Sequence, residues 1–443
     1  MTKTVAFYTL GCKVNQYESQ QLEAQFREAG YAVVDSRAEA DVYVVNTCTV
    51  TRLADRKSRQ FMRRAKRQNP SSLLVAMGCY PQTNPEEVSR IAEADILVGN
   101  EDKGKVFTYV EAFFREHRPN DCMLTEKEQG HADNAALLCV HLESRTRALL
   151  KIQDGCDRFC SYCVIPYARG PVRSRPMDEI LAEAETLLRA GYRELVLTGI
   201  NTALYGADQS GSSEGVISVV DALSRLKGDF RIRLGSLEPT VVDAAYVEKL
   251  LAYDKLCHHL HLSVQSGSDR ILDAMNRHYT ISDYMEIVRV VRNADPRYGL
   301  TTDIITGFPG ETEEDFRQSL DLVRQVGYLK VHGFPYSKRL LTRAGEMSGA
   351  VPAPVKKERN RRLKEIADVA SEAFLRSLEG RKLRVLPEEI FIDAAGQSYW
   401  KGHADQFVTV YVSCPSGKLP GNEFVEVVAG VPYEEGVMAG KEL

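Results

Sequence analysis

Over the first hundred residues, short apolar runs alternate with stretches whose apolar positions recur every three or four residues. The run from Lys3 to Thr9 reads as a buried strand and ends at Leu10–Gly11–Cys12. From about Gln16 to Ala29, Leu22, Phe26 and Ala29 share one helical face, and Gly30 is a suitable stop. Tyr31–Val34 predicts a short strand, as do Asp41–Asn46, Leu73–Gly78 and Asp95–Val98. A long helix is expected from about Thr51 to Gln68, closed by Asn69–Pro70. This alternation predicts an open, mostly parallel sheet, with ligands beyond the carboxyl ends of its strands.

The alternation resumes at Ala148. Strands are expected at Leu149–Gln153, Leu195–Thr198, Phe230–Leu234, Leu260–Val264, Leu300–Ile304 and Lys330–Phe334. Helical stretches such as Met177–Ala190, Asp221–Lys227 and Thr312–Val326 lie between them. Six such units predict a partial (β/α)6 barrel. A basic helix from Lys356 to about Leu378 leads to short β runs at Leu383–Leu386, Phe407–Ser413 and Phe424–Val428, the pattern of a small β-barrel. The fold expected is α/β, in three parts. An N-terminal open parallel sheet spans 1–114. A linker at 115–141, with a strand around Ala136–Val140, leads to the central barrel at 142–378. A C-terminal β-barrel spans 379–443.

Composition narrows the class. With 44% hydrophobic and 27% charged residues the chain is that of a globular protein. It has no apolar stretch long enough for a transmembrane helix, and its start lacks the apolar core of a signal peptide. A cytoplasmic protein with no membrane partner is expected. The net charge of −4 does not mark a general polyanion binder, but the basic residues are clumped. The helix after Cys48 carries Arg52, Arg56, Lys57, Arg59, Arg63, Arg64, Lys66 and Arg67, with Asp55 almost alone in opposition. Such a run is commonly only a solvated face. Starting four residues after Cys48, it also suits an RNA backbone. Arg169, Arg173 and Arg175 extend that idea.

Three of the ten cysteines, Cys156, Cys160 and Cys163, are spaced C-x3-C-x2-C. Three thiolates suit a 4Fe–4S cluster with one open iron. Zinc is the alternative, but structural zinc needs a fourth ligand and no His follows at a finger-like interval. Cys12, Cys48 and Cys79 each stand just past a predicted strand end, which would gather them at one sheet edge. The alternative is three unrelated core cysteines. Cys122, Cys139, Cys257 and Cys414 lack ligand spacing and read as packing residues.

The C-x3-C-x2-C run, with Tyr162 before its last cysteine, resembles the radical S-adenosylmethionine (SAM) superfamily. That resemblance implies SAM chelated at the open iron and cleaved to a 5′-deoxyadenosyl radical. Gly11–Ser19, Asn46–Val50 and Gly78–Tyr80 resemble the N-terminal domain of methylthiotransferases. There the three cysteines would hold a second 4Fe–4S cluster, and the C-terminal barrel would be an RNA-gripping, OB-like TRAM domain. Thr198–Asn201, Gly235–Pro239 and Phe334–Ser337 are most similar to the MtaB-like branch, which acts on N6-threonylcarbamoyladenosine at position 37 of tRNA. Other branches act on isopentenyladenosine-37 or on a ribosomal-protein aspartate.

The resemblance implies that Cys12, Cys48, Cys79, Cys156, Cys160 and Cys163 are catalytic cluster ligands. It implies SAM contacts for Gly199, Ile200, Asn201, Glu238, Gln265, Arg277 and Asp303. His261, Ser263 and Gln265 alternate along the fourth barrel strand and are expected to point one way. Arg56, Lys57, Arg59, Arg63, Arg64, Lys66 and Arg67 would meet the tRNA anticodon stem-loop. An electron donor such as flavodoxin or ferredoxin, and a sulfur source, are implied partners. A non-enzymatic RNA-binding iron–sulfur scaffold is the alternative of a different class. The chain departs from the family at Leu341 and Arg343, where Gly and Pro are expected, which puts the conformation of that loop in question.

Overall fold

The computed structural model describes residues 2–116, 123–124, 146–209, 214–414 and 421–441. The strand expected around Ala136–Val140, together with Cys122 and Cys139, lies outside them. The chain falls into two compact units. One comprises Met1–Cys139, Asp154–Pro171 and Ser337–Gly345; the other comprises Val140–Gln153, Val172–Tyr336 and Glu346–Leu443.

The first unit is built on a parallel sheet in the spatial order Ala32–Val34, Thr4–Thr9, Val42–Thr47, Leu73–Gly78, Ile96–Val98 and Met123–Leu124. Alternate residues serve opposite faces. Tyr43, Val45, Leu74 and Ala76 pack with Phe61, Met62 and Ala65 of the helix Arg52–Gln68. Val42, Val44, Leu73 and Val75 pack with Leu22, Phe26, Val106 and Val110. Cover on both faces is why Val42–Thr47 and Leu73–Gly78 read as unbroken apolar runs. The chain leaves Thr4–Thr9 in one direction and returns past it in the other. The topological switch point therefore lies between Thr4–Thr9 and Val42–Thr47.

The basic helix is fixed at its start by Thr51, whose Oγ1 accepts the Ala54 N–H at 3.2 Å, with Asp55 in the first turn. In the segment Asp154–Pro171, Gly155 has φ +72°, and a Cβ there would stand 1.8 Å from the Pro171 carbonyl oxygen. Only glycine fits that turn.

The second unit contains the six-stranded barrel wall, all parallel, with a break in its third strand. Arg231–Leu234 pairs with Glu194–Thr198, and that with Arg147–Lys151. After Gly235 the chain switches partner, and Ser236–Leu237 pairs with His259–Leu262, followed by Gly299–Thr306 and Lys330–Pro335. One helix starts earlier than expected, at Val216 rather than Asp221, because Val216, Val219, Val220 and Leu223 form its buried stripe. Thr312 caps the helix Glu313–Val326 through a reciprocal box with Asp315.

The C-terminal region closes as a five-stranded barrel in the order Lys382–Ile392, Ser398–Ala404, Thr409–Ser413, Gly436–Lys441, Val425–Tyr433. It is anchored to the parallel barrel by buried charge. Arg231 and Arg233 each donate from Nε to Glu194 at 2.7 Å, and Arg231 reaches Asp405 at 2.7 Å. Cys257 and Cys414 are buried, Cys414 within the C-terminal core. Among the described residues no helix is long and apolar enough to cross a membrane.

Candidate functional site

Within the first unit, Cys12, Cys48 and Cys79 follow three adjacent strands, and Cys12 and Cys48 follow the two that flank the switch point. Burial pushes the Cys48 thiol up to about 12, and Cys79 and Cys12 add to the rise. Cys12 is open to solvent at its surface yet ringed deeply enough by protein that burial raises its pKa too, with a smaller contribution from Cys79. The three thiols thus share one electrostatic neighbourhood, and binding a cation would favour their ionised forms.

Gly11 keeps this neighbourhood open. Its φ is +99°, and a Cβ there would meet Cys48 Cβ at 2.7 Å and Sγ at 2.9 Å. Asn15 Nδ2 donates to the Leu10 carbonyl at 2.7 Å and the Thr47 carbonyl at 3.0 Å, tying together the strand ends that carry Cys12 and Cys48. Asn100 Nδ2 lies 3.5 Å from Cys79 Sγ and donates to the Ala168 carbonyl at 2.7 Å.

A buried charge network lies beside the thiols. Arg169 donates to Glu18 at 3.0 Å, Asp154 at 2.9 Å and Asn15 Oδ1 at 2.5 Å. Lys103 pairs with Glu18 at 2.5 Å. Burial works against the Arg169 charge, but Glu18 and Asp154 outweigh it and hold the guanidinium protonated. Arg169 is the strongest influence lowering the Cys12 pKa. These residues carried no periodic signal. In the sequence Arg169 stands out only as one of a basic group after the triad, and its partners Glu18, Asp154, Lys103 and Asn15 are brought together by tertiary folding alone.

The segment bearing Cys156, Cys160 and Cys163 belongs to the same compact unit. All three cysteines are partly exposed. The Cys156 N–H donates to the Gly170 carbonyl at 3.0 Å and the Cys163 N–H to the Cys160 carbonyl at 2.9 Å. Phe159, at φ +46°, turns the chain between the first two cysteines. The Ala344 N–H donates to the Ser161 carbonyl at 2.6 Å. Among the described residues no three His, Cys, Asp or Glu side chains converge closely enough to hold a single metal ion. Thiolates at the corners of an iron–sulfur cube stand further apart, and two sets of three soft donors fit that chemistry.

In the second unit, three of the residues expected to meet SAM form one buried cluster. Glu238 accepts from Asn201 Nδ2 and from Arg277 Nη1, both at 2.5 Å, and from Thr240 Oγ1 at 3.1 Å. Arg277 also donates to the Ser263 carbonyl at 3.0 Å. Asn201 Oδ1 is buried and, among the described residues, has no hydrogen-bond partner, an acceptor that a ligand ammonium or hydroxyl would satisfy. The Ile200 and Asn201 amides both donate to Gln153 Oε1, at 3.0 and 3.1 Å. At Gly199–Asn201 the backbone groups suited to an ammonium are therefore carbonyls rather than amides. A Cβ on Gly199 would stand 2.9 Å from the same Gln153 oxygen.

The alternation expected for His261, Ser263 and Gln265 breaks at its end. The strand stops at Leu262, and Gln265 has φ +68°. Gln265 is instead stitched by backbone to the neighbouring strand, its N–H to the Asp303 carbonyl at 2.8 Å. Asp303 Oδ2 accepts from Ser263 at 3.1 Å and lies 3.1 Å from His261 Nε2. Burial opposes ionisation of Asp303, but His261 outweighs it and holds the carboxyl below its usual range.

The seven basic residues expected to meet RNA fall into two groups. Arg56, Lys57, Arg63, Arg64 and Arg67 are exposed. Arg59 is engaged with Tyr80 and, at 2.9 Å, with Glu87, while Lys66 pairs with Asp95 at 2.7 Å.

Comparison with known proteins adds independent findings. Residues 150–323 match the family described as the Radical SAM superfamily, and residues 4–99 match Uncharacterized protein family UPF0004. The chain is similar to the threonylcarbamoyladenosine tRNA methylthiotransferase MtaB of Bacillus subtilis (strain 168), at 39% identity over 98% of this chain and 96% of that protein. The Aquifex aeolicus (strain VF5) protein of the same name is 39% identical over 86% of this chain and 92% of its own. A tRNA-2-methylthio-N(6)-dimethylallyladenosine synthase of Desulfosudis oleivorans (strain DSM 6200 / JCM 39069 / Hxd3) is 36% identical over 87% of this chain and 83% of its own. Among solved structures, the radical S-adenosylmethionine methyltransferase TsrM from Kitasatospora setae aligns with a TM-score of 0.55 at 14% identity, covering 78% of this chain and 77% of that one. That likeness is one of fold.

Proposed function

Since the chain belongs to the radical SAM methylthiotransferases, we propose that it places a methylthio group on C2 of N6-threonylcarbamoyladenosine at position 37 of tRNA. Membership implies SAM and one 4Fe–4S cluster. The second cluster is part of the proposal. The observation that carries it is the placement of Cys12, Cys48 and Cys79 just past the ends of three adjacent strands of one sheet, in the same compact unit as Cys156, Cys160 and Cys163. The substrate is supported by the name shared by the relatives with 39% identity. The dimethylallyladenosine relative from Desulfosudis oleivorans is 36% identical.

On this reading Cys156, Cys160 and Cys163 hold the cluster that chelates SAM, and Cys12, Cys48 and Cys79 hold the one that carries sulfur. When bound, these groups supply one electron to cleave SAM and a sulfur for methylation and transfer. The chain's own part is placement. Asn201, Glu238 and Arg277 form a preorganised polar floor for SAM, with Asn201 Oδ1 offered as an acceptor. Gly199, Ile200, Gln265 and Asp303 shape the surrounding turn and strand ends. Arg169 supplies fixed positive charge beside Cys12, which favours thiolate over thiol.

Arg56, Lys57, Arg63, Arg64 and Arg67 meet the phosphates of the anticodon stem-loop, and the C-terminal barrel, at 379–443, acts as the TRAM domain. The division into 1–114, 115–141 and 142–378 belongs to the same proposal, as do a flavodoxin- or ferredoxin-like reductant and a separate sulfur source. The test is reconstitution with SAM, reductant and sulfide on stem-loop RNA bearing N6-threonylcarbamoyladenosine. Mass analysis of the nucleosides should show gain of a methylthio group. Gain only on the dimethylallyl substrate would refute the assignment.

A further inference from the structure

A cavity of about 320 Å³ lies within the first unit. Its wall includes Thr49, next in the chain after Cys48, and Val164, next after Cys163. It is thus bordered by the residue following one cysteine of each triad. The loop that departs from the family pattern forms its other side, through Lys338, Arg339, Leu340 and Leu341.

Arg339 is buried and builds the wall. Its Nη1 donates to Asp55 Oδ2 at 2.7 Å, and its Nη2 donates to Thr49. That leaves Asp55 Oδ1 buried and, among the described residues, without a hydrogen-bond donor. Such an acceptor is costly to bury unless something donates to it. At the exposed edge stand Arg52 and Lys338, whose side chains have no ion-pair partner among the described residues. Leu340 is 77% exposed and Leu341 46%, giving the edge an apolar flank.

The cavity therefore asks for a ligand with three properties: a hydrogen-bond donor for Asp55, a negative charge for Arg52 and Lys338, and a body small enough for the low end of small-molecule sites. An RNA phosphate has the charge but offers no donor to Asp55. A dimethylallyl group has neither. A threonylcarbamoyl group has a carboxylate, a hydroxyl and ureido N–H groups.

We infer that this cavity is the specificity pocket for the threonylcarbamoyl side chain, with Arg52 and Lys338 binding its carboxylate and Asp55 accepting from its hydroxyl or N–H. The assignment rests on the substrate proposed above and adds the residues that select it. Because Arg52 and Lys338 are exposed and make no ion pair among the described residues, their replacement should leave the fold intact.

The test is fluorescence anisotropy of the full chain, reconstituted anaerobically, with three anticodon stem-loops. One carries N6-threonylcarbamoyladenosine, one its carboxylate methyl ester, and one dimethylallyladenosine. The native enzyme should bind the first roughly tenfold more tightly than the other two, as expected for one charge-assisted contact. Arg52→Gln with Lys338→Gln should abolish that preference and leave the affinities for the ester and dimethylallyl RNAs unchanged. Equal weakening on all three RNAs would mean a backbone phosphate contact and would overturn the assignment. So would a preference that survives both substitutions. Absence of preference in the native enzyme would overturn the substrate reading and the pocket with it.

Discussion

Gly11→Ala tests the second cluster without touching a ligand. The added Cβ would stand 2.7 Å from Cys48 Cβ, whereas carbon atoms rest at about 3.5–4.0 Å. Cys12 and Cys48 must therefore separate by roughly 1 Å, several times the ~0.2 Å tolerance of a metal–ligand bond. The backbone adds its own resistance, since a left-handed φ costs a non-glycine residue about 1–2 kcal/mol. Against a domain stability of ~5–15 kcal/mol the fold should persist. Gly30→Ala is the control. Its φ is +87°, and among the described residues a Cβ there meets nothing within 4 Å, so it carries similar strain without the crowding. After anaerobic reconstitution the native chain and Gly30→Ala should hold about eight irons, and Gly11→Ala about four, as two cubes and one require. Cleavage of SAM to 5′-deoxyadenosine should continue in Gly11→Ala while methylthio transfer is lost. Native iron content in Gly11→Ala would refute the convergence of Cys12 and Cys48 on a shared cluster.

Other substitutions separate the remaining roles. Cys160→Ala should also lower iron to about four per chain, but with loss of 5′-deoxyadenosine formation, read by chromatography after reduction. Arg56→Gln with Lys57→Gln should weaken every stem-loop alike and lower the salt slope of binding by about 1–2, whereas Arg59→Gln and Lys66→Gln should act mainly on thermal stability. Glu194, fully buried between Arg231 and Arg233, is held well below the usual carboxylate range because the two guanidiniums outweigh its burial. A depressed carboxylate stabilises the fold at pH above its unfolded value of 4.5, and that contribution is lost as pH falls below it toward the folded value. Glu194→Gln should cost about 3–5 kcal/mol at neutral pH and flatten the acid limb of denaturant-derived stability. An unchanged acid limb would count against the charge cluster as the anchor of the C-terminal barrel.

The parts of this molecule that could be read from the chain are those whose cause is local. Val42–Thr47 and Leu73–Gly78 are apolar throughout because helices cover both sheet faces, and that run placed Cys48 and Cys79 at strand ends. Thr312 as a helix cap follows from the chemistry of four neighbouring residues. The rest depends on contacts between distant segments. Ser398–Ala404 and Gly436–Lys441 carry no clear strand pattern in the sequence, since Gly402, Gly436 and Gly440 interrupt their alternation. The break at Gly235 reflects a change of pairing partner, which no single strand encodes. Glu18, Lys103, Asp154 and Arg169 converge from four places in the chain. Arg59 and Lys66 look identical in sequence to their exposed neighbours, and only the positions of Glu87 and Asp95 engage them.

The modified nucleoside is identified by liquid chromatography with mass detection of tRNA nucleosides from a strain lacking this protein, with and without the intact chain restored. N6-threonylcarbamoyladenosine should accumulate in the strain without it, and the 2-methylthio form should return only with the intact chain, not with Cys160→Ala. An unchanged 2-methylthio-N6-threonylcarbamoyladenosine signal in the deletion strain would rule out this substrate.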